Sequence, residues 1–203
     1  CRCACPGGPG GSGSGSGSGH PDRRADASSG RSVLMNDIKV KLRGALRAAR
    51  LRRSGGVDRI VIDVDGTLTD GLMYIAPTGD KLFKAFSADD SDLIRLAVSR
   101  GIEVMLLTAD TASADVVLHR ASAMGINAFF AKGTERLYHI TPRTVFIGDG
   151  AHDDAVMKKA AFGISPLNGL PWTRKAADAV VQRRGGDKAV AVAINYILWR
   201  CVQ

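Results

Sequence analysis

The sequence predicts an α/β fold, a Rossmann-like parallel sheet with helices on both faces, from three observations. Short apolar, largely β-branched runs recur at 60–64, 102–108, 128–131, 144–147, 162–164 and 179–181. Helical patterns separate most of them, which is the βαβα alternation of a parallel sheet. Several runs end in residues able to do chemistry: Asp63 and Asp65, Thr108, Lys132, and Asp149. In open α/β sheets ligands bind outside the carboxyl ends of the strands. Those ends are therefore the candidate site.

The length of 203 residues and a hydrophobic content of 45% allow one domain with a real core, plus a tail. The net charge is +8, but it is unevenly spread. Residues 1–59 hold 12 Lys/Arg against 4 Asp/Glu, and residues 60–203 hold 16 of each. The basic excess belongs to the leading segment, so no nucleic-acid partner is expected for the domain. The cysteines are Cys1, Cys3, Cys5 and Cys201. The single-residue gaps among the first three do not fit the spacing of a structural zinc site. One cysteine in the domain leaves no need for a disulfide, which points to a cytoplasmic location. No apolar run of about 18 residues is present, so no membrane span is expected.

Residues 1–34 are rich in Gly, Ser, Pro and Cys and contain GSGSGSGSG. Such a stretch cannot bury enough apolar area to offset its ordering entropy, and it reads as a disordered leader. The first methionine is Met35. The native protein is expected to start there, which an N-terminal peptide of the native protein would decide. Residues 35–56 form a second unit. Ile38, Leu42, Ala45, Leu46 and Ala49 recur at helical spacing among Lys39, Lys41, Arg43, Arg47 and Arg50, and Gly55-Gly56 stops the pattern. This basic amphipathic helix either packs on the domain or a neighbouring subunit, or binds an acidic surface.

The third unit, 57–203, opens on Ile60-Val61-Ile62-Asp63-Val64-Asp65-Gly66-Thr67. A β-branched run of this kind belongs to a strand buried on both faces. Two apolar segments, 72–75 and 82–86, flank Pro77-Thr78-Gly79-Asp80 and read as a β-hairpin. A helix follows over about 90–100. Thr111 starts another that runs to Met124, where Gly125 can act as a C-cap. A helix after Asp153 and a last one from about Asp187 to Arg200 complete the pattern. Burying Asp63 and Asp65 at the end of an apolar strand is costly unless a cation compensates them, and a divalent metal is the obvious one.

Asp63-Val64-Asp65-Gly66-Thr67 with Thr69-Asp70-Gly71 behind it, and Gly148-Asp149 with Asp153 four residues on, resemble the motifs of the haloacid dehalogenase superfamily of phosphatases. The ending Thr69-Asp70-Gly71 resembles the capless branch that contains sugar-acid phosphatases. The likeness runs from about Arg59 to Leu198. It implies that Asp63 attacks phosphorus and that Asp65 serves as acid and then base. It implies Mg²⁺ held by Asp63, Asp149, Asp153 and the main-chain carbonyl of Asp65. Thr108 and Gly66 would bind the phosphoryl group. The third motif should supply a cation, and Lys132 is preferred over Arg136. The resemblance also implies a projecting hairpin, no cap domain, a homo-tetramer and a small phosphorylated substrate, a sugar acid among the choices. Three substrate-region positions depart from the pattern: Asp89, Asp110 and Lys188. The departures and the altered third motif leave a second reading, a catalytically impaired binding or assembly module.

Overall fold

The computed structural model describes residues 41–79 and 81–202. The leader read at 1–34 and the proposed start of the basic helix lie outside the described residues. Six strands form one parallel sheet: β1 (Arg59–Asp63), β2 (Glu103–Thr108), β3 (Asn127–Phe130), β4 (Thr144–Ile147), β5 (Phe162–Ser165) and β6 (Ala179–Val180). Their spatial order is β3-β2-β1-β4-β5-β6. The chain builds outward from β1 to β3, then crosses back to lay β4 on the other flank of β1. The reversal between β1 and β4 is the topological switch point, where a doubly wound sheet opens a crevice.

Side chains alternate across the sheet because successive Cβ atoms point to opposite faces. Ile60, Ile62, Val104, Leu106, Val145 and Ile147 join one core cluster, and Val61, Met105, Leu107 and Phe146 join the other. The first cluster takes in residues 41–53 (α1), α2 (Ala88–Ser99), α3 (Ala114–Met124) and α6 (Ala189–Arg200). The second packs against α4 (Asp153–Lys159) and the 3₁₀ segment Gly133–His139. Each fully buried aliphatic side chain of β1 contributes about 2 kcal/mol of burial free energy. Gly125 ends α3 at φ 73°, the left-handed cap that its sequence position suggests.

Two features differ from the sequence reading. A short helix, α5 (Pro171–Ala176), was not legible. Its six residues are too few to show a period, although Pro171 sits at its first turn, where proline is preorganised. The hairpin is also slighter than its apolar limbs suggest. It holds one antiparallel bridge, Ile75 with Lys81, and a Leu82 N–H donating to the Tyr74 carbonyl at 2.8 Å. Tyr74 and Phe83 stack across it at 4.4 Å. A two-stranded ribbon with no third strand is only marginally stable, so it frays toward a loop.

The helix at 41–53 spends part of its charge inward. Arg43 and Arg47 both pair with Asp178, at 3.1 and 3.0 Å, and Asp178 is fully buried at its side chain. Asp178 also accepts from the Gly163 N–H at 2.9 Å. Gly44 lies between the arginines, and a Cβ there would come 2.2 Å from the Asp178 carbonyl oxygen. Glycine is what lets the helix approach this closely. Asp178→Ala should therefore cost about 2–3 kcal/mol in urea unfolding, because it strands one buried N–H and unpairs two arginines. A loss below about 0.5 kcal/mol would show that this anchor carries no stability.

Candidate active site

Strand β1 delivers Asp63 to the switch point, 6% exposed. The chain then turns through Val64–Leu68, with Gly66 at φ 87°. A Cβ on Gly66 would lie 2.3 Å from Asp149 Oδ2, so only glycine lets this loop meet the loop after β4. Thr67 donates its hydroxyl to Asp149 Oδ1 at 2.7 Å. Thr69 closes the turn by donating to the Val64 carbonyl at 3.2 Å. Asp153 opens α4 with its side chain fully buried, and its Oδ2 accepts from the Gly150 N–H at 2.8 Å.

One carboxylate oxygen from each of Asp63, Asp149 and Asp153 lies within 4.8 Å of the others. Arg136 enters the same space from the 3₁₀ segment. Its Nη2 donates to Asp63 Oδ1 at 2.7 Å and lies 3.0 Å from Asp153 Oδ1. The guanidinium carbon rests 5.8 Å from the centre of the Phe146 ring. Burial pushes Asp63 well above the usual carboxylate range, the Asp153 charge adds to this, and Arg136 opposes it. Burial likewise raises Asp149 to about 6. Asp153 is raised by burial against the pull of Arg136. For Arg136, burial works against its charge, but Asp63 and Asp153 outweigh it and hold the guanidinium firmly charged.

Three acids thus face one cation. The buried Asp153 Oδ1 has no hydrogen-bond partner despite its ion-pair distance to Arg136. An all-oxygen donor set with an unsatisfied buried oxygen fits a hard divalent cation.

The remaining sequence candidates fall in different places. Thr108 ends β2, buried, and its Oγ1 accepts from the Asp110 N–H at 3.0 Å. Asp65 is partly exposed and pairs with Lys84 Nζ. Lys132 follows β3 but is exposed, and the recorded contact near it is its backbone N–H donating to Glu135 at 3.2 Å. It is not brought to the acids. Arg136 is, because the 3₁₀ turn after Gly133 swings the fourth residue inward.

Sequence reasoning missed three participants, Lys84, Lys81 and Asn168. Lys84, nearly buried, bridges Asp65 and Asp110, and Lys81 holds Asp110 from the other side at 2.7 Å. Burial would raise Asp110, but the two lysines overcome it and hold the carboxyl well below the usual range. The Asp110 carboxylate is thus matched by cations on the hairpin limb. Asn168 donates to the Gly66 carbonyl at 2.7 Å and to Asp149 Oδ2 at 3.3 Å, and accepts from the Gly185 N–H at 2.7 Å. The dipeptide Asn168-Gly169 announces a turn. Nothing in it announces that the turn ties three loops together.

No family model matches the chain. Curated and solved proteins do. The 3-deoxy-D-manno-octulosonate 8-phosphate phosphatase of Escherichia coli (strain K12) is 29% identical over 165 residues, covering 76% of this chain and 86% of that one. The crystal structure of the phosphatase of the same name from Moraxella catarrhalis, in complex with magnesium ion, phosphate ion and a KDO molecule, superposes with a TM-score of 0.64 at 26% identity. It covers 74% of this chain and 91% of that one. The Yersinia pestis enzyme gives the same TM-score and identity over 74% and 85%. The chain is thus similar in sequence and fold to these phosphatases, in keeping with its resemblance to the capless branch of the haloacid dehalogenase superfamily. Its six-stranded parallel sheet is the fold the first motif implied.

A superfamily site with three close acids should show its charge imbalance in a pH titration of the metal-free protein. Asp149 binds its proton more tightly folded than unfolded, because its pKa rises from 3.8 to about 6. The stability this adds is present below the unfolded carboxyl pKa and is lost as pH rises through about 6. In EDTA, the melting temperature of Asp149→Asn should therefore fall less than that of the parent between pH 4.5 and 6.5. Parallel curves for the two proteins would contradict the burial-driven shift.

Proposed function

We propose that this chain is a Mg²⁺-dependent phosphatase that hydrolyses a small phosphomonoester through an aspartyl-phosphate on Asp63. The observation that carries this reading is the convergence of Asp63, Asp149, Asp153 and Arg136 at the switch point of the sheet. Asp63, Asp149, Asp153 and the main-chain carbonyl of Asp65 would hold Mg²⁺. When bound, the ion offsets the repulsion between an anionic nucleophile and an anionic phosphate, about 4 kcal/mol at 4 Å in an effective dielectric near 20.

The chain's own residues carry the steps. An Asp63 oxygen attacks phosphorus while the ester P–O bond breaks, and Asp65 gives its proton to the departing alcohol oxygen. Asp65 then takes a proton from water as that water attacks the phosphorus of the aspartyl-phosphate. Phosphate leaves and the Asp63 carboxylate is restored. In this reading Thr108 and the amides around Gly66 hold the phosphoryl oxygens. Arg136, charged and fixed against Asp63, is the third-motif cation that balances charge on the transferring group. The reading as an impaired module rests on the altered third motif and on Asp110; Arg136 beside Asp63 weighs against the first, and the pairing of Asp110 with Lys81 and Lys84 against the second.

The relatives' names and the KDO bound in the Moraxella structure support a phosphorylated sugar acid as the substrate class. Leu72, Met73, Ile75, Leu82 and Phe83 on the hairpin limbs are each more than half exposed. Such a patch is the kind that a neighbouring subunit covers, which supports a homo-oligomer, a tetramer in this reading.

Three measurements test this. Asp63→Asn should abolish turnover of a phosphomonoester panel in Mg²⁺ while keeping the far-UV spectrum, and retained turnover would rule out the covalent route. Arg136→Ala should lower kcat by about 10²-fold or more, and Lys132→Ala by less than about threefold; the reverse ranking would return the role to Lys132. Light scattering at micromolar concentration should report an oligomer that Leu72→Asp with Phe83→Asp dissociates, and a monomeric parent would contradict the assembly.

A further inference from the structure

A second concave site lies away from the acids, between α1, α5, the edge strand β6 and the C-terminal turn of α6. It encloses about 1030 Å³. Five cations line it, Lys41, Arg52, Arg174, Lys175 and Arg200, against one acid, Asp178. Asp178 is already committed to Arg43, Arg47 and the Gly163 N–H. None of the five pairs with a carboxylate among the described residues. Arg174 in addition buries its Nε without a hydrogen-bond partner. Unpaired cations crowded around one concavity repel each other, and an anion removes that cost. The floor is apolar, with Ala45, Ala48 and Val180. Tyr196, half-buried, adds an aromatic ring to the lining.

We propose that this groove binds a nucleotide, with the phosphates held by Arg52, Arg174, Lys175 and Arg200 and the base on the apolar floor and Tyr196. The groove has room for a small organic ligand, whose pockets run from about 300 to 1,000 Å³. Arginines suit phosphate because their fork donates two parallel hydrogen bonds. The site also has a route to the acids. Thr173 of α5 donates to the Gly150 carbonyl at 2.8 Å, and the Leu170 N–H donates to the Asp149 carbonyl at 3.0 Å. The helix that carries Arg174 and Lys175 into the groove thus grips the loop that carries Asp149.

The test titrates ATP into the full chain with Asp63→Asn, which removes turnover, and follows the heat of binding. Saturable binding with one ATP per chain is expected, weakened at least tenfold by Arg52→Glu with Arg200→Glu. Both residues are exposed, so the melting temperature and, in the Asp63 parent, the phosphatase rate should hold. Binding unchanged in the double variant, or no binding by the parent, overturns the site. Tripolyphosphate or poly-glutamate binding as tightly as ATP overturns the nucleotide assignment, because the groove would then read charge alone.

Discussion

Asp63, Asp149 and Asp153 share a buried space at the end of β1 and β4, and the Arg136 guanidinium is the charge that makes this tolerable. An isolated carboxylate taken out of water is held there only if it is paired or protonated. One guanidinium cannot balance three acids. The remainder shows as raised proton affinity at Asp63 and Asp149, and as an Asp153 oxygen left without a hydrogen bond. A divalent cation bound among these oxygens would supply the two positive charges that the arginine leaves uncompensated. The stability of the free protein and its chemistry draw on the same imbalance.

Close approach of loops makes the cluster possible. Gly66 has no Cβ, so the first-motif turn can press on Asp149. Gly185 and Gly186 press in the same way on the Gly66 carbonyl and on Thr69 and Asp70. Asn168 stitches these contacts with three hydrogen bonds. Backbone packed this tightly leaves few alternative positions for Asp149, which is how a loop site attains the precision of a strand site.

Charge placement follows one rule elsewhere in the molecule. Asp110 and Asp89, two positions that depart from the family pattern, each have a cationic partner: Lys81 and Lys84 for Asp110, Lys188 for Asp89 at 3.1 Å. Lys188 occupies φ 61°, a left-handed conformation that glycine adopts more easily.

The sequence by itself determined the sheet, the helices flanking it, and the acids at the strand ends. Those features are local: a β-branched run specifies a buried strand, and Asp63-Val64-Asp65-Gly66-Thr67 is contiguous. Tertiary structure alone decided which cation meets Asp63. Lys132 is the nearer residue to the strand β3, yet a 3₁₀ turn of about three residues per turn carries Arg136 inward and leaves Lys132 on the surface. It also decided that Asn168 and Lys84, 103 and 19 residues from Asp65 in sequence, touch the first-motif loop. Their partners are set by how loops from different strands meet at the switch point, and no period or spacing within one segment encodes that meeting.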